Sequence, residues 1–325
     1  MVIESTFDER CQAGAPPIEL AFMTASISIA FILTNIPGNL LNIFAVVFDP
    51  NKNLRTPFNW LIVNLSVADL IVGVITEPYL AYYTIKEGLR RNEDPKELTL
   101  THMAYFISCT ASILSLTSLA VERYLAVRNP NTYRDKVTNK RIILTTIFIW
   151  LISLSLPNIY FHVGFTAYAF IFANTSIAVA FMIICITYTL MRRKLRSRSL
   201  RIETTSSTSA DANEISHDEN QSTFNVDCMA AKKQLLEAKI TQMFLIVLIA
   251  LLCCYGPSTV MIYFVNFCEG CSCTTLHWFR DIHILFALMN SSVNFFCYAL
   301  RSPRFRSAFA KLLRINRRRD DGIEL

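Results

Sequence analysis

Five polar side chains lie in stretches of the chain that are otherwise apolar, and their types suggest ion or water binding. Asp69 stands in the middle of "NWLIVNLSVADLIVG". Asn290 and Asn294 are four residues apart, so they share one face of a later apolar helix, with Ser291 beside them. Ser112 belongs to a third apolar stretch. Together these groups can enclose a small cation or a water molecule, or they can form a purely structural hydrogen-bond network. Their spacing leaves both interpretations open.

A second polar group, Glu122-Arg123-Tyr124, ends the apolar stretch that contains Ser112. The long side chain of Arg123 can reach the edge of the hydrocarbon layer, and the adjacent Glu122 can neutralise its charge. Within the apolar stretches no His, Asp and Glu follow metal-ligand spacing, and no nucleophile is paired with a base. The pattern therefore argues against an enzyme.

Membrane-spanning helices must position these polar groups. The 325 residues are 53% hydrophobic and only 17% charged, against about 25% charged residues in a typical soluble domain. Stretches with few or no charges are each long enough to cross a bilayer, which takes about 20 residues; they are 20–48, 57–84, 98–121, 142–191, 240–267 and 282–300. The fourth is about twice one crossing, and Pro157, Asn158 and Gly164 near its middle predict a tight turn. We therefore predict an all-α integral membrane protein with a bundle of seven transmembrane helices.

The distribution of basic residues predicts the orientation of the bundle. Lys and Arg gather after the first, third, fifth and seventh spans, as at Arg55, Arg141, Arg193 and Arg304. This places the N-terminal segment 1–19 outside, the bundle at 20–300, and the segment 301–325 in the cytosol of a plasma-membrane protein. The net charge of +6 is then an orientation signal, and nucleic acid is not an expected partner. A Ser, Thr and charge-rich segment at about 196–230 is predicted to be a disordered cytoplasmic loop.

Several short motifs occur in order along these spans. They are Gly38-Asn39, "NLSVAD" at 64–69, "SLAVERYLAV" at 118–127, Trp150, Cys254 with Pro257, and "NSSVNFFCY" ending at Tyr298. Over almost its whole length the chain resembles rhodopsin-family (class A) G-protein-coupled receptors. The resemblance implies a receptor that binds an extracellular peptide, small molecule or lipid and activates a heterotrimeric G protein. The alternative from the sequence is a seven-helix transporter or channel.

The resemblance also assigns roles to individual residues. Asp69, Ser112, Asn290, Ser291 and Asn294 match the family's sodium-binding cage, which makes sodium an expected allosteric modulator and leaves no other cofactor expected. The coupling and switch positions of the family correspond to Glu122, Arg123, Tyr124, Tyr188, Glu237, Tyr255, Pro257 and Tyr298. In the inactive family members an acid at the position of Glu237 pairs with the arginine at the position of Arg123.

Further parts of the chain complete this comparison. Phe305 and the basic residues around it match an amphipathic eighth helix on the inner leaflet, in contact with membrane lipid. The Thr and Ser cluster at 204–209 is a candidate phosphorylation site for a receptor kinase and for arrestin, or simply part of a solvated linker. Phe295 replaces the family's proline in the seventh span, so this helix is expected to bend less. Tyr255 replaces the tryptophan switch of the sixth span.

The outer segments resemble those of melanocortin receptors, within the melanocortin, lysolipid, cannabinoid and adenosine branch. The second outer loop is very short, Leu98 replaces the usual cysteine of the third span, and "CEGCSC" precedes the seventh span. Cys268, Cys271 and Cys273 then face the oxidising side with Cys11, an even number. One bridge within the loop and one to Cys11 is the expected framework, with free cysteines or a zinc site as the alternative.

The ligand pocket is predicted to involve Glu77, Tyr105, Cys109, Tyr255 and His283. Tyr105 occupies the position of the aspartate that amine receptors use, which argues against a biogenic amine. Glu77 either contacts the ligand or is a buried carboxyl satisfied by a neighbouring hydroxyl. The sequence does not identify the ligand, the G-protein class or the oligomeric state.

Overall fold

The computed structural model describes residues 11, 16–91, 95–128, 133, 137–210, 246 and 249–313. For residues 95–98, 176, 180, 195, 198–210, 300 and 301 it describes the backbone alone, and for 92–94 it describes nothing. These parts of the chain are helices joined by short connections, and no strand occurs among them. The prediction of an all-α bundle is confirmed.

Eight helices follow one another along the described chain. In order they are α1 (Ile18–Phe48), α2 (Pro57–Gly88), α3 (Pro95–Arg128), α4 (Asn139–Val163), α5 (165–210), α6 (Ile249–Phe267), α7 (Cys273–Arg301) and α8 (Pro303–Leu312). Six of them are long and apolar enough to cross a membrane: α1, α2, α3, α4, α6 and α7. Helix α5 supplies the remaining predicted span, with no charged residue from Phe165 to Met191.

Helix α3 occupies the centre of the bundle and contacts α2, α4 and α5, while α1 packs against α2, α7 and α8. The core of the bundle is a continuous cluster of Leu, Ile, Val and aromatic side chains. One polar cross-link holds three of the helices together: Trp150 of α4 donates its indole N–H to Asn64 of α2 at 2.9 Å, and Asn64 donates to Ser115 of α3 at 2.7 Å.

Two helices contain a π turn, which adds one residue to the hydrogen-bonded ring. In α2 it covers Val72–Thr76, and in α5 it covers Ala173–Ile177. An extra residue rotates every later side chain by about 100° relative to an uninterrupted α-helix. The outer third of α2, which begins at Glu77, therefore presents different residues to the bundle than a simple helical projection of the sequence suggests.

The tight turn predicted between the fourth and fifth spans is centred on Gly164, with φ of 81°. That left-handed conformation is readily adopted by glycine, which has no Cβ. Immediately before it, Leu156–Ile159 form a 3₁₀ turn that includes Pro157 and Asn158. The single stretch 142–191 is therefore two helices, as predicted.

Helix α5 overlaps the first part of the disordered loop predicted at about 196–230. Helix α5 continues without interruption to Ala210, which includes the Thr and Ser cluster at 204–209. Extending an existing helix costs little, and the Arg, Leu and Glu residues here are good helix formers. The later part of the predicted loop, and Glu237, lie outside the described residues.

Helix α7 runs as one α-helix through Asn294 and Phe295, consistent with the expectation that phenylalanine in place of proline reduces the bend. Helix α8 follows directly; Ser302 caps it by accepting from the N–H of Phe305 at 3.4 Å. Phe305 and Phe309 are buried and Arg304, Arg306 and Lys311 are exposed, as expected for an amphipathic helix lying on a membrane surface.

Candidate functional site

A cavity of about 200 Å³, called the outer cavity below, opens in the half of the bundle that contains the first turns of α3 and α7. Side chains from α2, α3, α5, α6 and α7 line it: Thr76, Tyr79, Leu80, Tyr83, Thr84, Thr101, His102, Tyr105, Phe165, Thr166, Ile262, Val265, Arg280, Asp281, His283 and Ile284. Of the predicted pocket residues, Tyr105 and His283 belong to this lining. Glu77, Cys109 and Tyr255 do not.

Glu77 is placed away from the cavity by the π turn of α2. Its side chain is fully buried, and Oε1 accepts a hydrogen bond from Nδ2 of Asn35 on α1 at 3.0 Å. Glu77 therefore does not line the cavity; its neighbour is an amide in place of the expected hydroxyl, and Oε2 has no hydrogen-bond partner among the described residues, so contact with ligand stays a prediction. Tyr79, two residues further on, lines the cavity instead.

Cys109 and Tyr255 lie deeper in the bundle than the cavity. Cys109 follows Tyr105 by one helical turn on α3 and is buried against both Tyr105 and Tyr255 of α6. Neither residue is part of the cavity lining, and their contact with ligand stays a prediction.

A charged cluster at the edge of the cavity was missed by the sequence interpretation. Arg280 of α7 donates from both terminal nitrogens to Glu87 of α2, at 2.9 and 2.8 Å, and from Nε to Asp281 at 2.9 Å. The second carboxylate oxygen of Asp281 accepts from the hydroxyl of Thr24 on α1 at 2.9 Å. Adjacent charges just before an apolar span were the available signal, although their partners are remote in sequence.

His283 is anchored from the opposite side by Ser258 of α6. Its Nδ1 lies 3.0 Å from the Ser258 carbonyl oxygen and 2.8 Å from the Ser258 hydroxyl, which in turn donates to the His283 carbonyl at 3.0 Å. This double contact fixes the ring, with Nε2 directed away from Ser258.

Below the cavity, the predicted cage around Asp69 is assembled from three helices. Ser112 of α3 donates to Oδ1 of Asp69 at 3.2 Å, and Asn294 of α7 donates to Oδ2 at 2.9 Å. Ser291 is buried one turn before Asn294 on α7. Asp69 is fully buried, and Asn290 is 1% exposed with neither side-chain polar atom partnered among the described residues. All five predicted cage residues are therefore buried in one region of the bundle.

Near the C-terminal end of α3, Glu122 and Arg123 form a shielded ion pair. Arg123 donates from Nε at 2.6 Å and from a terminal nitrogen at 2.8 Å to the two oxygens of Glu122. Its guanidinium lies 3.8 Å from the ring centroid of Phe58 on α2. The hydroxyl of Tyr133, in the connection between α3 and α4, donates to the same carboxylate. Burial and the adjacent Glu122 raise the pKa of Tyr133, so the phenol remains protonated and available as a donor.

The other predicted switch residues lie on α3, α5, α6 and α7. Tyr124 is half-buried with the Arg128 guanidinium 5.9 Å from its ring, and Tyr188 of α5 is half-buried. Tyr298 is 2% exposed with its ring 6.1 Å from that of Phe305, and Pro257 lies inside α6 one turn above the buried Cys254.

Two disulfide bonds lie near the start of α7. Cys11 is joined to Cys273 at the start of α7, and Cys268 is joined to Cys271 within the preceding loop. The pairing corresponds to the expected framework of one bridge within the loop and one to the N-terminal segment. The Cys11 and Cys273 sulfurs also lie within 4.8 Å of a ring nitrogen of His277, so the alternative of a zinc site stays open.

The family model described as 7 transmembrane receptor (rhodopsin family) matches residues 38–168 and 160–298. The chain is 25% identical over 308 residues to the histamine H2 receptor of Cavia porcellus, and the alignment covers 88% of this chain and 78% of that receptor. It is 37% identical over 134 residues to dopamine receptor 4 of Caenorhabditis elegans, covering 39% of this chain and 24% of that receptor. With the muscarinic acetylcholine receptor gar-2 of the same organism it shares 34% identity over 137 residues, 42% of this chain and 21% of that receptor. The chain binds an extracellular ligand and activates a heterotrimeric G protein, and it is not an enzyme. From these matches and the seven-helix architecture, we conclude that it belongs to the rhodopsin family of seven-transmembrane receptors and is a G-protein-coupled receptor.

Proposed function

We propose that the outer cavity is the ligand site, that the Asp69 cage is a sodium-dependent control element, and that Glu122-Arg123 is the coupling element at the inner face. One observation supports this division above the others. Tyr105, Ser112 and Arg123 all belong to α3 and contribute to the cavity, the cage and the ion pair in that order. At 1.5 Å per residue, Tyr105 and Arg123 are about 27 Å apart along the helix. A movement of α3 is therefore available to couple all three.

The donor set around Asp69 fits a sodium ion. Asp69 supplies a buried negative charge, Ser112 and Ser291 supply hydroxyl oxygens, and the unpartnered amide of Asn290 supplies a further oxygen. A carboxylate in this position needs a compensating partner, because an isolated buried charge is costly. Bound sodium would supply that charge balance and would hold α2, α3 and α7 together in the inactive arrangement.

We propose the melanocortin-like branch for the outer architecture, supported by the turn at Gly164 and by the two disulfides. A second candidate, a receptor for a small amine, is favoured by the relatives named for histamine, dopamine and acetylcholine. Tyr105 stands where amine receptors have an aspartate, so an amine would need a different carboxylate in the cavity.

The remaining partners follow from the proposed orientation, with the N-terminus outside. Exposed basic residues of α8 would then meet the inner leaflet, whose anionic lipids attract Lys and Arg. Phosphorylation of the Ser and Thr cluster at 204–209 by a receptor kinase would add negative charge for arrestin to bind.

Nucleotide exchange tests the coupling assignment. Purified receptor in lipid nanodiscs should accelerate loading of a GTP analogue onto a G protein, and Arg123→Ala should abolish the acceleration. Arg128→Ala, an exposed arginine at the end of the same helix, is the matched control and should retain it. Equal loss in both variants would contradict a specific role for Arg123. Solute flux across liposomes without nucleotide exchange would instead support a transporter.

A second-messenger screen against peptides, lipids and amines, recording cyclic AMP and calcium together, would identify the ligand and the G-protein class.

A further inference from the structure

Two buried polar atoms in the lining of the outer cavity have no hydrogen-bond partner among the described residues. They are Nε2 of His283, a residue 4% exposed, and the hydroxyl of Thr76, a residue 2% exposed. Buried polar groups in folded proteins are nearly always hydrogen-bonded, and leaving one unpaired is unfavourable. The cavity therefore favours an occupant that supplies polar partners at these two positions.

The hydrogen-bonding role of His283 follows from its contacts. Nδ1 lies 3.0 Å from the carbonyl oxygen of Ser258, which can only accept, so Nδ1 carries the proton. In the neutral ring Nε2 is then an acceptor, and it requires a donor from the occupant. The hydroxyl of Thr76 can pair with either a donor or an acceptor.

The charges at the cavity edge also favour an occupant that donates hydrogen bonds, and in particular a cation. Asp281 is 2% exposed and lines the cavity. Arg280 faces two carboxylates, Glu87 and Asp281, so the three groups leave one negative charge in excess. All three guanidinium nitrogens already donate to carboxylates. An anionic ligand would have to displace one of them, whereas a cation would complete the balance.

Aromatic rings provide the rest of the complementary surface. Tyr79, Tyr105 and Phe165 line the cavity with Asp281 and His283. The faces of such rings attract ammonium and guanidinium groups. Asp281 and His283 are two residues apart on α7, about 3 Å along the helix axis and about 200° around it. They lie at nearly the same depth and meet the cavity from different sides of α7.

We propose that the cavity is a binding site for an organic cation, an ammonium or guanidinium group whose charge is balanced by Asp281 and which donates a hydrogen bond to Nε2 of His283. The inference rests on the proposed function of the cavity as the ligand site. It relocates the charge-balancing carboxylate to α7, because α3 offers only Tyr105 at the usual amine position. A small amine and a basic side chain of a peptide share this chemistry.

Matched charged and neutral probes test the proposal on the full-length receptor in nanodiscs. The first pair is tyramine and N-acetyltyramine, and the second is an acetylated, amidated Gly-Arg-Gly peptide and its citrulline counterpart. At millimolar concentration at least one charged probe should raise the thermal unfolding midpoint, and its neutral partner should not. The pair that responds distinguishes an amine from a peptide source.

Three variants locate the site. Asp281→Asn should weaken binding of the responding probe by about tenfold or more, as expected for a hydrogen bond to a charged group. Thr76→Val keeps the shape of the side chain and should weaken binding severalfold, which keeps the test valid if Asp281→Asn folds poorly. Glu269→Gln removes an exposed acid of the outer loop and should change nothing.

The proposal is overturned if charged and neutral probes act equally, if no charged probe stabilises the parent, or if Thr76→Val and Asp281→Asn bind as the parent does. A receptor that accelerates nucleotide exchange through Arg123 in these cases would still have the proposed coupling function.

Discussion

Gly38 of α1 packs so closely against Phe295 of α7 that no room is left for a larger side chain at position 38. A Cβ atom on Gly38 would stand 2.6 Å from Cγ, 2.8 Å from Cδ1 and 2.9 Å from Cβ of Phe295. Since the Phe295 Cβ is fixed to the helix backbone, rotation of the ring cannot relieve the clash. We expect Gly38→Ala to cost about 1–3 kcal/mol from overpacking, partly offset by a gain of about 1 kcal/mol in helix propensity.

Gly256 provides the matched control, because a Cβ added there meets no atom within 4 Å. Gly256→Ala receives the same propensity gain without the clash, so the difference between the two variants isolates the overpacking. In a thermal unfolding assay on detergent-solubilised receptor, Gly38→Ala should unfold on the order of 5 °C below Gly256→Ala. Adding Phe295→Leu to Gly38→Ala should recover part of the loss, a non-additive effect expected only for residues in contact. If the two alanine variants unfold at the same temperature, the contact does not limit the packing of α1 against α7.

Three further predictions concern sodium, the resting state and acid. Asp69→Asn should abolish the effect of sodium, compared with a bulky organic cation, on agonist affinity while the protein remains folded; an unchanged sodium response would make the cage purely structural. From the family resemblance, Glu237→Ala should raise ligand-free signalling severalfold at matched surface expression, whereas Lys233→Ala should not. Losing a partly solvated ion pair worth about 1 kcal/mol changes the ratio of the two receptor states severalfold. Asp49 accepts hydrogen bonds from the backbone N–H groups of Asn53, Leu54 and Arg55 at 2.9, 3.0 and 3.3 Å. Burial raises the pKa of Asp49, but these hydrogen bonds stabilise the charged carboxylate more strongly and hold its pKa below 3.8. Asp49→Ala should therefore lower the unfolding temperature at neutral pH, and the difference from the parent should shrink as pH falls below about 4, through the folded-state pKa; a difference independent of pH would assign the loss to backbone conformation alone.

The helices were predictable because a membrane excludes charge. The absence of charged residues marked the spans, and Gly164 with Pro157 marked the turn inside a double-length stretch. The cage around Asp69 was predictable for the same reason, since buried polar residues in hydrocarbon must meet one another.

The outer half of α2 was not predictable from periodicity. One extra residue in the π turn at Val72–Thr76 rotates Glu77 toward Asn35 and Tyr79 toward the cavity, and nothing in the local sequence specifies that insertion. The bond between Glu87 and Arg280 joins residues 193 positions apart, so only the packing of α2 against α7 reveals it. The sequence shows that these residues are charged, but it does not show which of them form ion pairs.

The bridge between Cys11 and Cys273 has a topological consequence. It joins positions 262 residues apart, so everything from α1 to α6 belongs to one covalently closed ring. A single protease cut in the long connection between α5 and α6 would open that ring without dividing the molecule. The two pieces should migrate as one species on a non-reducing gel and separate only when a reductant is added, so a nicked receptor would keep its halves together through its outer surface.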